Sequence, residues 1–399
     1  MTIAVIGAGA SGMAAALQAA WHGASVVLFE RNRASGKKLQ VTGSGRCNIT
    51  NREASAEKYS CADSGWMGHL LSAFGVDDLL AMLVEISIPA SATADGWYYP
   101  LSESARTVVD AFASALQLAG VDIRFAHQVQ DFFPDGNGWS VVTASPQGLQ
   151  EGQYTRVVVA AGGKSFPSLG SRGELFPVLS RLGHTVLPKR PALAPVLADM
   201  KEYKALQGIR LDAGAVLLEG TTELARTRGN LIFTEWGLNG PAVMDLSHHI
   251  SARPGEALTL RLNLLEFHQP AYDSLLSRKR QNAIPLRVFL GAFFPPRAVD
   301  YFIQRLGTPE GAALKDLDDG TLNALTWMLQ ALPFTVKGVK GFEFCQLSAG
   351  GVPVGEVDPI TLESRLLPGL HLCGETLDVF GPCGGFNLQF AFSSGSLAG

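Results

Sequence analysis

The sequence predicts an α/β protein built on a dinucleotide-binding Rossmann unit, with a β-rich domain inserted into it. Three observations lead there. The chain opens as strand, glycine turn, helix and strand; near residue 160 a strand ending in paired glycines follows a small meander; and from Leu370 a strand, Gly-Glu and a Gly-Gly-led helix close the chain. At 399 residues the chain is also long for one hydrophobic core, so two or more structural units are expected.

The first element is the apolar run Ile3 to Ile6. Gly7-Ala8-Gly9-Ala10-Ser11-Gly12 follows, then the Ala-rich stretch Met13 to His22, then Ser25 to Phe29 ending in Glu30. In such a unit Gly7 permits the tight turn, Gly9 lets backbone N–H groups approach a pyrophosphate, and Gly12 lets helix and strand pack closely. The helix N-terminus offers the anion unpaired N–H groups and roughly half a positive charge. A lone GxGxxG is a weak signal; flanked by strand and helix, and closed by an acid on the second strand, it specifies a dinucleotide site. Glu30 should accept ribose hydroxyls, which favours FAD or NAD over a cofactor with a 2′-phosphate.

The choice between those two comes from downstream. Arg106 to Leu118 reads as an amphipathic helix, Gly120 to Phe125 as a third parallel strand, and Val129 to Thr143 as a small antiparallel meander turning at Pro134-Asp-Gly-Asn-Gly138. Arg156 to Ala161 is then a buried strand running into Gly162-Gly163. A meander inserted before a strand ending in Ala-Gly-Gly resembles the FAD domain of glutathione-reductase-like flavoproteins. Leu370 to Cys373 is a late strand ending in Gly374-Glu375, and Gly384-Gly385 precedes a helix at Phe386 to Leu397. In that class the late carboxylate serves the ribityl or ribose-phosphate chain. The last helix points its N-terminus at the flavin pyrimidine, where it stabilises charge that accumulates on reduction.

Between Pro191 and about Lys340 the pattern changes. Ala192 to Leu197, Gly214 to Glu219, Asn230 to Thr234 and Ala257 to Leu262 read as strands of an antiparallel barrel or sandwich. From Tyr272 to Leu332 the period is helical, and Phe334 to Leu347 returns to strand. The expected organisation is a first FAD-binding part at 1–190, an inserted β-rich domain at 191–345 with a helical subdomain at about 268–332, and a returning FAD-binding part at 346–399. A ligand is expected at the domain junction. Phe233-Thr-Glu-Trp-Gly-Leu-Asn-Gly240-Pro241 reads either as a loop there, touching flavin or substrate, or as a structural turn.

GKKLQVTGSGRCNITN, AAGGKSFPSLGSRG, FTEWGLNGPAV and SAGGVPVGEVDPITLESRLLPGLHLCGETLDVFGPCGGFNLQFAFSSG occur in order over nearly the whole chain. They resemble the HI0933-like family of bacterial flavoproteins, also called the YhiN or BaiN family. Thr42 stands where that family often has Ser, and Ser44 where it often has Gly. The resemblance implies FAD and the class of NAD(P)/FAD-dependent oxidoreductases; the electron donor is then either NAD(P)H docking transiently or a different carrier. Some members are linked to reduction of uridine to dihydrouridine in ribosomal RNA, others to reduction of unsaturated bile-acid intermediates. Together with the glycine motif it gives a cofactor-binding set: Gly7, Gly9, Ala10, Ser11, Gly12, Glu30, Arg31, Lys38, Gly43, Gly45, Arg46, Cys47, Asn48, Val129, Ala161, Gly162, Gly163, Gly374, Glu375, Gly385, Asn387 and Leu388.

Because flavin carries the electron chemistry, few catalytic residues are needed. Cys47 and Arg46 are the candidates. A thiol beside Arg46 can have a depressed pKa, or it can simply pack a tight loop; the Arg46 fork suits phosphate or a flavin oxygen. The five cysteines, Cys47, Cys61, Cys345, Cys373 and Cys383, show no CxxC spacing, and the eight histidines form no HxH or HExxH pattern, so neither a redox disulfide nor a metal site is expected. A formal charge of -4 gives no global reason for nucleic acid or an anionic membrane as partner. The short basic clusters 188–190 and 278–280 read as solvated surface, and the adjacent His248-His249 as solvated or capping. No second GxGxxG provides a nicotinamide domain. The reading is a cytoplasmic FAD oxidoreductase passing hydride through flavin N5 to an unsaturated small-molecule or nucleobase acceptor. An RNA dihydrouridine-forming enzyme and a non-catalytic flavin-binding protein are the alternatives.

Overall fold

A computed structural model describes residues 1–309 and 311–399. The chain divides into two compact units, Met1–Arg190 with Gln346–Gly399, and Pro191–Cys345.

In the first unit the chain runs through β1 (Thr2–Ile6), α1 (Ala10–Trp21), β2 (Ser25–Glu30), β3 (Thr50–Asn51), α2 (Ser64–Ala73), α3 (Val76–Glu85), β4 (Ala90–Ala92), β5 (Trp97–Pro100), α4 (Ala105–Leu118), β6 (Asp122–Phe125), β7 (Gln128–Asp135), β8 (Gly138–Ser145), β9 (Gly148–Tyr154) and β10 (Arg156–Val159). A five-stranded sheet has the order Leu370–Leu372, β10, β1, β2, β6, and every pairing in it is parallel. Its central strands are covered on both faces, so IAVI, VVLF and VVV are continuous apolar runs without alternation. Helix α1 has the opposite constraint. A Cβ on Gly12 would stand 1.8 Å from Gly7 O, one on Gly395 2.2 Å from Ser11 O, and one on Gly399 2.2 Å from Ala15 O. The Ala/Gly composition of α1 follows, because it is pressed between the glycine turn and the C-terminal helix Phe386–Ala398.

The meander is three-stranded, β7-β8-β9, with a register shift between Val129 and Asp131; it extends beyond the expected span to Tyr154. A second small sheet, β3-β5-β4, has no counterpart in the sequence reading. Ser64 to Glu85 is apolar enough, by length and composition, to cross a membrane. It forms the two ten-residue helices α2 and α3, broken by extended backbone at Phe74 and Gly75. Each is about 15 Å long, half of a hydrocarbon core of roughly 30 Å.

The second unit holds a closed six-stranded barrel. Its order is Val196–Ala198, Gly237–Asn239, Thr222–Phe233, Arg210–Glu219, Leu258–Asn263, Leu332–Val339, and the last strand pairs with the first. The short helices Pro241–Met244 and Ser247–Ser251 and the helices Gln269–Lys279, Leu286–Gly291, Pro296–Leu306 and Asp319–Gln330 accompany it. Tyr272 is fully buried among them against Phe289 and Phe293, with its hydroxyl 3.1 Å from Thr326 Oγ1.

Several expectations for this region change. The strand expected at Asn230 to Thr234 is only the end of a twelve-residue strand, and the one expected to reach Leu347 stops at Val339. FTEWGLNGP is the hairpin that supplies a barrel strand. A Cβ on Gly237 would lie 2.1 Å from Val196 O, and one on Gly240 2.4 Å from Asn230 O, so these glycines answer to strand packing. Arg280 is no solvated charge: its guanidinium donates to Leu314 O at 2.6 Å and to Leu317 O. The rings of His248 and His249 lie 4.0 Å apart, tilted by 39°, in the short helix Ser247–Ser251, half-buried, and burial lowers the His249 pKa.

Candidate functional site

The three glycines of the N-terminal turn have different reasons to be glycine. Gly7 has φ +102°, and a Cβ there would meet Ala160 O at 2.6 Å. Gly12 is barred by Gly7 O. Gly9, the N-cap of α1, has φ -83°, receives no side-chain cap, and a Cβ there would meet nothing within 4 Å. The fold accounts for the first two; Gly9 keeps open the space before the N-terminus of a twelve-residue helix, beside Ala10 and Ser11.

Glu30 ends β2 and is buried. Its Oε2 accepts from Ala8 N at 2.9 Å, while Oε1 accepts from Asn32 N at 2.8 Å and Asn32 Nδ2 at 2.7 Å. Each carboxylate oxygen accepts about two hydrogen bonds, so Oε2 retains a position for a hydroxyl. Arg31 turns outward to Glu174 and to Gly170 O. Val129, buried in β7, lies two residues beyond His127, whose N–H donates to Glu30 O at 3.0 Å.

A second cluster forms where β10 and Leu370–Leu372 end. Ala161, Gly162 and Gly163 leave β10, and a Cβ on Gly163 would collide with Ser348 Oγ and Glu375 Oε1. Glu375 Oε1 accepts from Ser348 N (2.7 Å), Ser348 Oγ (2.8 Å) and Ser165 Oγ (3.0 Å), and its Oε2 pairs with Lys38 Nζ at 2.6 Å. Lys38 also bonds Ser165 Oγ. The carboxylate expected to serve a cofactor chain is therefore saturated by protein donors, and a cofactor hydroxyl reaching it would displace one of them. Gly374 has φ +61°, and its N–H donates to Ser394 Oγ at 2.9 Å, tying the cluster to the C-terminal helix.

The segment Val41 to Asn51 clasps the start of that helix. Asn51 Nδ2 donates to Gly384 O at 2.8 Å, Thr50 Oγ1 to Gln389 Oε1, and Asn48, with its amide turned, bridges Thr50 O and Gly385 N. A Cβ on Gly385 would stand 2.4 Å from Thr50 O. Asn387 closes the preceding loop, accepting from Gly381 N and donating to Gly381 O and Pro382 O; Leu388 follows half-buried. Gly43, Ser44, Gly45 and Cys47 all have positive φ, which coils this loop tightly. Cys47 is fully buried in it. Burial pushes its thiol up to about 12, partly offset by a hydrogen bond with Thr42, so its pKa moves away from that of a reactive thiolate.

Sequence reasoning missed the neighbours of this loop. Strand β5 alternates, so Trp97 and Tyr99 share one face. A Cβ on Gly384 would lie 3.0 Å from the Trp97 ring, and one on Gly43 3.3 Å from the Tyr99 ring. The Arg46 guanidinium sits over Tyr99 at 4.6 Å. The aromatic run WYYP was the available signal. Asn32, Ser165 and Ser348 carried none, since isolated Ser and Asn follow no readable pattern.

These groups lie in one structural unit and fit an extended dinucleotide: an open helix N-terminus for pyrophosphate, a buried acid for ribose, and a glycine-lined clasp at a second helix N-terminus. Lys189 is a further basic group of this unit, 3.5 Å above the Phe176 ring, and burial lowers its pKa to about 8.

The family described as HI0933-like protein Rossmann domain matches residues 1–399. A 3-dehydro-bile acid delta(4,6)-reductase of Clostridium scindens is 32% identical, over 100% of this chain and 98% of its own. A ribosomal RNA dihydrouridine synthase of Escherichia coli is 30% identical, over 98% and 95%. Among solved structures, a 3-ketosteroid delta1-dehydrogenase of Sterolibacterium denitrificans has a TM-score of 0.55 at 11% identity, covering 100% of this chain and 98% of that one, a likeness of fold.

Proposed function

The chain belongs to the HI0933-like family, and from that premise we propose that it is an FAD-dependent oxidoreductase that saturates a carbon–carbon double bond conjugated to a carbonyl. The observation that carries this reading is chemical. The two relatives matched end to end are named for different substrates but for one operation, since a delta(4,6) bond beside a 3-oxo group and the 5,6 bond of uracil are both conjugated to a carbonyl. Bound flavin supplies hydride through N5 to such an acceptor, after reduction by NAD(P)H or another donor. The chain's own part is to hold the cofactor between the α1 N-terminus, Glu30 and the 41–51 clasp, and to present the acceptor beside Trp97, Tyr99 and Arg46.

Charge favours a small apolar acceptor over RNA. The region 191–345 carries sixteen Lys and Arg against sixteen Asp and Glu, and the whole chain is at -4, so neither part offers a net positive field to phosphates. The reading is tested on purified protein under anaerobic conditions. Its yellow flavin should bleach with NADH or NADPH, or with dithionite if the donor is another carrier, and recolour on addition of a 3-oxo-4,6-diene steroid. Recolouring only with uridine-containing RNA would move the substrate to the second relative's class; a protein that cannot be loaded with FAD would end the flavin reading.

A further inference from the structure

Tyr99 is 6% exposed, yet its hydroxyl makes no hydrogen bond to any described residue, and the oxygen is not sealed inside protein. A phenol so nearly buried usually finds a partner for its O–H. Its position is fixed by β5, whose Tyr98 O accepts from Ile49 N at 2.8 Å, one residue past Asn48. The ring lies against Gly43 of the loop that clasps the C-terminal helix, with the Arg46 guanidinium on it. An unpartnered donor is therefore held at the proposed flavin clasp, with a permanent cation stacked on its ring.

We propose that Tyr99 is the proton donor that completes double-bond reduction, and that Arg46 is the positioning residue that stabilises the phenolate left behind. This rests on the function proposed above. The acceptor takes a hydride, hence two electrons, at the carbon β to its carbonyl from reduced flavin, and a proton at the α carbon from the Tyr99 O–H. Flavin is oxidised, the double bond becomes a single bond with two new C–H bonds, and the phenolate regains its proton from water. The Tyr99 pKa is raised by burial and by Glu103 while Arg46 draws it down. The group thus stays protonated until the reaction calls on it, and the guanidinium lowers the cost of losing the proton.

The test uses Tyr99→Phe, which removes one oxygen and keeps the ring on Gly43, with Arg46→Gln as companion. Flavin content, reoxidation of dithionite-reduced flavin by ferricyanide, and reoxidation by a 3-oxo-4,6-diene steroid are measured for each. Tyr99→Phe should keep stoichiometric FAD and wild-type reoxidation by ferricyanide, which needs no proton on carbon, while reoxidation by the dienone falls at least 100-fold. Independently of turnover, an alkaline ultraviolet titration of the apoprotein should lose one perturbed phenol in Tyr99→Phe, and that phenol should titrate higher in Arg46→Gln. Dienone reoxidation of Tyr99→Phe at the wild-type rate overturns the assignment, as does loss of FAD from that variant. Wild-type reduced flavin that no conjugated carbonyl reoxidises sinks the proposed function itself, a different result from the first.

Discussion

Replacing Gly9 with alanine should separate what the fold needs from what the cofactor needs. Its φ of -83° is open to any residue, and the new methyl group would meet no protein atom within 4 Å. Reduced freedom in the unfolded chain gains about 0.4–1 kcal/mol, and alanine in place of glycine at an N-cap costs up to about 1 kcal/mol, so the two offset and apoprotein stability should stay within about 1 kcal/mol of wild type. The methyl group does occupy the space before the α1 N-terminus. Excluding pyrophosphate from it should weaken FAD at least about 100-fold, or roughly 2.7 kcal/mol. Gly12→Ala is the contrasting variant. Its methyl would stand 1.8 Å from Gly7 O and 3.2 Å from Ala160 Cβ, a backbone clash that cannot relax locally, and should cost about 3 kcal/mol or more. Urea unfolding of the apoproteins and fluorescence titration with FAD read the two quantities separately. A Gly9→Ala protein that retains stoichiometric FAD through purification would refute the placement of the pyrophosphate; one that unfolds like Gly12→Ala would refute the account of its open space.

Two further outcomes are expected. Burial raises the thiols of Cys47 and Cys373 from 9.0 to about 12, so the folded state keeps them neutral; their contribution is complete below pH 9 and is lost as pH rises toward 12. Cys61 is raised by burial as well, so stability in urea should fall as pH rises above 9, before phenols ionise, and Cys373→Ala should make that fall shallower; an unchanged slope contradicts the assignment. Lys38→Met strips one donor from the Glu375 carboxylate and should cost about 1–3 kcal/mol in thermal or urea unfolding. Adding Glu375→Gln should restore part of that loss, and strict additivity of the two changes would show that the pair does not interact.

The elements that the sequence made legible are those whose cause is local. The glycine turn, the runs IAVI and VVLF and the Ala-rich helix carry their signals within a few residues of the contacts that impose them. The parallel sheet, the barrel and its accompanying helices could therefore be anticipated. Sheet β3-β5-β4 could not, because strands of two to four residues are too short to show a period. The Lys38, Ser165, Ser348 and Glu375 cluster draws on four distant segments, and nothing in any one serine announces it. FTEWGLNGP was legible only as two alternatives, a loop or a structural turn. Two glycines and a proline resemble a loop, yet here the glycines exist so that strands can lie against one another, a cause visible only once both neighbours are in place. Cys47 was conspicuous because it stands beside an arginine, and its burial depended on how the loop coils.

The strand Leu370–Leu372 pairs with β10, more than two hundred residues earlier in the chain, and the whole 191–345 unit is translated between the two. During synthesis β10 must wait as an unprotected edge while an entire barrel emerges behind it. The packing around α1 becomes complete only when the helix Phe386–Ala398 arrives to press on it. A ribosome stalled after residue 345 would carry an exposed parallel edge of apolar residues, the kind of surface chaperones recognise.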